Sequence, residues 1–147
     1  MNVTHGELHL TYPDGSEKTF VPLQFHFHAP SEHTIDGRLF DLEMHLVHKE
    51  KETGALGTVL GIIFDVEKGG DQHNAFIESL SVDKAHDLEH HHVTDDHCND
   101  GYYEAKGAVA LQHFLESLDL SEFYYYPGSL TTPPCTEGIN WLPLKQI

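Results

Sequence analysis

Leu23-Gln24-Phe25-His26-Phe27-His28 alternates polar and apolar side chains, and a period of two is the mark of a half-buried β-strand. Such a strand puts Gln24, His26 and His28 on one face and Phe25 and Phe27 on the other. The two rings need a packed layer beneath them, so this part of the chain must enter a sheet with one apolar face and one face carrying imidazoles. Asp36-Gly37 is a tight-turn signal, and it predicts that Leu42-Glu43-Met44-His45-Leu46-Val47 folds back beside the first strand. Glu43 and His45 then join the polar face while Met44 and Leu46 enter apolar packing. His26, His28 and His45 converge in this arrangement. Three neutral nitrogen donors, with a fourth position left to water, are the ligand set of a catalytic zinc site, at bond lengths of about 2.0–2.1 Å. Gln24 and Glu43 are placed to accept hydrogen bonds from the ring N–H groups that face away from the metal, which fixes tautomer and orientation.

Other stretches extend the sheet. His5 to Thr11 reads as a strand and Pro13-Asp14-Gly15-Ser16 as the turn after it, followed by a strand near Lys18 to Pro22. Leu56 to Val66 reads as a buried strand in which Gly57 and Gly61 permit close packing, ended by Lys68-Gly69-Gly70. Asn74 to Leu80 fits a short amphipathic helix, and Val109 to Leu120 fits either a helix or a strand. Phe123 to Leu130 holds a tyrosine run and a Pro-Gly turn, Pro133-Pro134 predicts an extended connection, and Ile139 to Leu144 reads as a strand.

Composition narrows the partners. The chain has 147 residues, 24 acidic against 8 basic, for a formal net charge of −16, so its field repels nucleic acid and anionic membrane surfaces. With 39% hydrophobic residues it has the material for a core. No run of apolar residues is long enough for a transmembrane helix, and Met1 to Gly15 lacks the pattern of a secretory signal. Length predicts a single domain over residues 1–147, although the apolar ending at Ile139 to Ile147 reads as a domain cut short.

Three separated segments carry a resemblance. Gln-Phe-His-Phe-His-Ala-Pro-Ser-Glu-His at 24–33, Glu-Met-His-Leu-Val-His at 43–48 and Gly-Ser-Leu-Thr-Thr-Pro-Pro-Cys-Thr-Glu at 128–137 resemble the alpha class of carbonic anhydrases. The resemblance implies a mainly β fold, the central mixed β-sheet of that family with short peripheral helices and both flanks missing. It implies Zn2+ held by His26, His28 and His45, with Gln24 orienting His26 and Glu43 orienting His45. The implied activity is reversible hydration of carbon dioxide to bicarbonate and a proton, by attack of zinc-bound hydroxide. Thr131 resembles the threonine that accepts from the hydroxide and gives its own proton to Glu32. Val47, Val59 and Leu130 resemble the apolar wall of the substrate site, Thr132 the second threonine at its mouth, and Trp141 a nearby structural wall. His33 and His48 resemble family histidines outside the ligand set, in buried polar support.

Other features stand apart from these motifs. No residue matches the place of the family's proton-shuttle histidine. The stretch of about 83–100, with His86, His90, His91, His92, His97 and Cys98, reads as an acidic histidine-rich loop with the donors to capture a transition metal. External buffer or one of these histidines is the available substitute for the shuttle. Cys135 resembles a disulfide-bonded cysteine of secreted relatives whose earlier partner is absent here, and Cys98 is the one other cysteine. A periplasmic or secreted location and a cytoplasmic one both stay open, as does the oligomeric state. The alternative of a different class is a noncatalytic metal-binding or interaction module that keeps the same core.

Overall fold

The computed structural model describes residues 6–69, 73–80 and 109–147. The histidine-rich stretch at 83–100, with Cys98, lies outside the described residues. These group into two compact units, one spanning Met1–Gly70 with Asp119–Ile147 and the other Asp71–Leu118.

The first unit is built on a six-stranded sheet. Strand β1 (Leu8–Thr11) turns through Pro13–Ser16, where Gly15 takes φ 81° and Asp14 Oδ1 accepts from Ser16 N at 2.9 Å, into β2 (Glu17–His28). Asp36 and Gly37, at φ 52° and 78°, form the expected tight turn between the mutually hydrogen-bonded Ile35 and Arg38. Strand β3 (Leu42–Glu50) then returns along β2, β4 (Leu56–Phe64) follows, and a one-turn helix α1 (Val66–Gly69) closes this run. Strands β5 (Tyr126–Ser129) and β6 (Glu137–Pro143) complete the sheet in the order β1-β2-β3-β4-β6-β5. All neighbours are antiparallel except β4 and β6, which run parallel. The fold is mainly β with a mixed sheet and short helices, as the sequence predicts.

The register stacks side chains in rows across the strands. One row reads His26, His45, Gly61, Pro143; a second reads Gln24, Val47, Val59, Trp141, Tyr126; a third reads His28, Glu43, Ile63. On the reverse face Phe25, Met44, Leu46, Leu60, Ile62 and Leu142 are buried. Alternation therefore separates an apolar layer from the histidine face.

Four local expectations change. The two strands expected at 18–22 and 23–28 are one twelve-residue strand, because a bulge between Pro22 and Gln24 absorbs the break that the proline makes in the ladder. The strand expected through Val66 ends at Phe64, since Asp65 Oδ1 accepts from Glu67 N and Asp41 from Val66 N, which starts α1. Pro127-Gly128 is no turn but part of β5, where an edge position tolerates the missing N–H. Pro133-Pro134 lies in a turn closed by Cys135 N donating to Thr132 O at 2.9 Å, with Cys135 exposed at φ 56°.

In the second unit, α2 (Ala75–Ser79) is capped by Asn74, whose Oδ1 accepts from Phe76 N and Ile77 N. The ambiguous segment after Val109 forms a helix, α3 (Leu111–Glu116), with Phe114 stacked on Phe76 at 4.4 Å between ring centroids. Among the described residues no helix is long and apolar enough to cross a membrane.

Candidate metal centre

The hairpin of β2 and β3 brings His26 directly opposite His45, with His28 two residues further along the same face. Ring centroids are 5.3 Å apart for His26 and His45, 5.0 Å for His26 and His28, and 4.6 Å for His28 and His45. One ring nitrogen from each of the three lies within 4.8 Å of the other two.

Hydrogen bonds on the outer side of these rings decide which nitrogens remain for a metal. His26 Nδ1 donates to Gln24 Oε1 at 3.0 Å, leaving Nε2. His45 Nε2 donates to Glu43 Oε1 at 2.9 Å, leaving Nδ1. His28 Nε2 is buried with no hydrogen-bond partner, while its Nδ1 lies 3.4 Å from Glu32 Oε1. A buried ring nitrogen without a partner is costly unless something coordinates it, and neutral imidazole nitrogens at such a cluster suit zinc. The donor set therefore fits the metal that the motifs imply. Burial, together with the adjacent His45 and His28, lowers the His26 pKa to about 4, so this ring is neutral and available as a ligand at physiological pH.

Glu43 organises the layer behind the rings. Its Oε1 accepts from His45 Nε2 and from His33 Nδ1 at 2.5 Å, and its Oε2 accepts from the backbone N–H of Glu32 and of His33 at 3.0 and 2.8 Å. Four N–H groups thus fill the acceptor sites of one fully buried carboxylate. Burial alone would raise the Glu43 pKa, but the bonds from His33 and His45 outweigh it and hold the carboxyl well below the usual range. His33 passes the chain of contacts outward, since Tyr126 Oη donates to its Nε2 at 2.7 Å. Burial, then the Glu43 and Glu32 charges, push the Tyr126 hydroxyl pKa up, which keeps it a donor.

The expected wall of the substrate site is one cluster. Val47, Val59, Ile139 and Trp141 are buried together with Leu130 packed against them. Trp141 faces His45 at 4.8 Å between centroids, and its Nε1 donates to Ser129 O at 2.9 Å, which ties β5 to this wall. Thr131 and Thr132 follow Leu130 in an exposed loop. The structure does not join Thr131 to Glu32; the Glu32 carboxylate instead approaches His28 Nδ1 and, at 3.9 Å, His45 Nδ1. His48 lies on the reverse face, 4% exposed, opposite Thr58.

The sequence motifs imply only buried polar support for His33, and the tyrosine run that contains Tyr126 carries no site role in them. Tyr126 meets His33 because β5 pairs with β6 so that Tyr126 opposes Trp141. A turn read into Pro127-Gly128 hid that register.

Comparison with known proteins places the chain in a family. The family model of the eukaryotic-type carbonic anhydrases matches residues 2–147. A carbonic anhydrase of Pectobacterium carotovorum is 39% identical over 129 residues, 86% of this chain and 44% of that protein. Alpha carbonic anhydrase 3 of Arabidopsis thaliana is 40% identical over 125 residues, 85% of this chain and 39% of its own length. Among solved structures, the Photobacterium profundum alpha-carbonic anhydrase superposes with TM-score 0.69 and 33% identity over 99% of this chain and 56% of that one. The Thermovibrio ammonificans alpha-carbonic anhydrase, solved with the inhibitor sulfanilamide, gives 0.65 and 34% over 88% and 49%. The chain thus spans about half the length of these relatives. The histidine face, the carboxylate behind it and the match along almost the whole sequence lead to one conclusion: this chain belongs to the eukaryotic-type, or alpha, carbonic anhydrase family.

Proposed function

We propose that this chain carries the centre of a zinc enzyme that interconverts carbon dioxide and bicarbonate. The observation that supports it most is the commitment of ring nitrogens: Gln24 and Glu43 each occupy the outer nitrogen of a histidine, while His28 Nε2 is buried without a partner. His26, His28 and His45 would hold the zinc. When bound, zinc supplies Lewis acidity that lowers the pKa of a coordinated water to about 7.

The protein's own residues supply the rest. Gln24 and Glu43 fix the tautomers of His26 and His45, and the negative charge of Glu43 makes His45 the stronger donor. Val47, Val59, Leu130 and Trp141 form an apolar wall suited to a small uncharged substrate, and bicarbonate, being charged, is released from such a wall toward water. Thr131 and Thr132 stand next along the chain, in the exposed loop. Thr131 would accept a hydrogen bond from the nucleophile, so that attack is aimed rather than random.

The test is carbon dioxide hydration by the zinc-loaded chain. Turnover above buffer, abolished by His26→Ala, is expected. A chain that binds zinc and gives no turnover above buffer would be the noncatalytic module with the same core.

A further inference from the structure

We propose that Gly61 is a positioning residue for the metal centre: its missing side chain leaves the space occupied by the Glu43 carboxylate, and so keeps His45 turned with Nδ1 toward the metal. This rests on the zinc reading above and adds a residue that touches neither metal nor substrate.

Gly61 lies within β4, directly opposite His45 on β3 and Pro143 on β6. Glycine inside a strand is unfavourable by about 1 kcal/mol, so its presence needs a cause. Backbone conformation is not the cause, because its φ is not among the positive ones, unlike those of Gly15, Gly37 and Gly54. Space is. A Cβ at Gly61 would stand 3.0 Å from Glu43 Oε1, 3.4 Å from Pro143 Cα and 3.7 Å from Pro143 Cβ.

Neither neighbour can give way cheaply. Pro143 is held by the parallel ladder between β4 and β6 and by Leu144 N donating to Gly61 O at 2.8 Å. Glu43 Oε1 is the atom that receives both His45 Nε2 and His33 Nδ1, so any retreat of the carboxylate lengthens the bond that sets the His45 tautomer. Gly57 provides the contrast. The three atoms nearest a Cβ there all belong to the Phe20 ring, with Cε1 at 2.7 Å, an overpacking with no link to Glu43.

The experiment compares Gly61→Ala, Glu43→Asp, the double variant that carries both, and Gly57→Ala, reading the His45 ring nitrogens by 15N NMR in the metal-free chain and the zinc Kd. Gly61→Ala is expected to end the single Nε2–H tautomer of His45 and to weaken zinc by about 10–100-fold. Glu43→Asp withdraws the carboxylate by one methylene, so the double variant should lose less than the sum of its two single changes. Gly57→Ala is expected to lower stability and leave both readouts in place. The proposal falls if Gly61→Ala keeps the tautomer and holds the zinc Kd within about twofold of native. It also falls if Gly61→Ala unfolds the chain and Glu43→Asp fails to restore it, since the glycine would then serve β4–β6 packing alone. A native chain that binds no zinc would defeat the metal reading instead, while the metal-free tautomer still decides the role of Gly61.

Discussion

At Glu43 one buried carboxylate answers four N–H groups, and each depends on the others because a single charge serves them all. Glu43→Gln replaces two acceptor sites with an N–H2 that must face other donors. The expected loss is about 1–3 kcal/mol of stability, as for a buried donor left without an acceptor, and about 10–100-fold in zinc affinity. Denaturant unfolding and zinc titration check the two separately. His48 makes a different prediction. Burial, against weaker support from the Leu46 and Thr58 backbone, lowers its pKa from 6.5 to about 4. Between these values the unfolded chain binds a proton that the folded chain refuses, so stability falls as pH drops through that window. The full effect is about 3 kcal/mol. In the metal-free chain His48→Leu should flatten this part of the stability profile, as read from melting temperature against pH. The shared face of His26, His28, His45, Gln24 and Glu43 was legible because a two-residue period and one tight turn suffice to place these side chains. The roles of His33 and Tyr126 were not, because they depend on a contact between residues 93 positions apart.

Among the elements, the β2–β3 hairpin bears most on the site, because its register sets His26 opposite His45. A slip of one residue would send one strand's histidines to the apolar face. The turn that holds it uses Asp36 and Gly37 at positive φ, so Gly37→Val should cost about 1–2 kcal/mol, measured by chemical denaturation. A variant as stable as the native chain would show that the turn does not set the pairing. The strand pattern, the turn and the helix capped by Asn74 were all readable from local chemistry. The bulge at Pro22 and the edge strand through Pro127 were misread because a proline's effect depends on whether its missing N–H faces a neighbouring strand, a property of the assembled sheet.

The whole molecule joins a sheet with one apolar layer to a formal net charge of −16. Self-repulsion of that size opposes the compact state and is screened by salt. Raising ionic strength from about 0.01 M to about 0.15 M, over which the screening length shrinks from about 30 Å to about 8 Å, should therefore raise the melting temperature. An unchanged or lower value would show that local ion pairs outweigh the net charge. Three histidines from two strands become one centre only when the sheet is formed, so zinc binding reports on residue, element and fold together. The most direct measurement is zinc stoichiometry by equilibrium dialysis of the native chain beside His26→Ala, His28→Ala and His45→Ala. A single zinc per native chain, lost in each variant, is the predicted result. Stoichiometric zinc that survives all three substitutions would contradict the assignment and place the metal elsewhere in the chain.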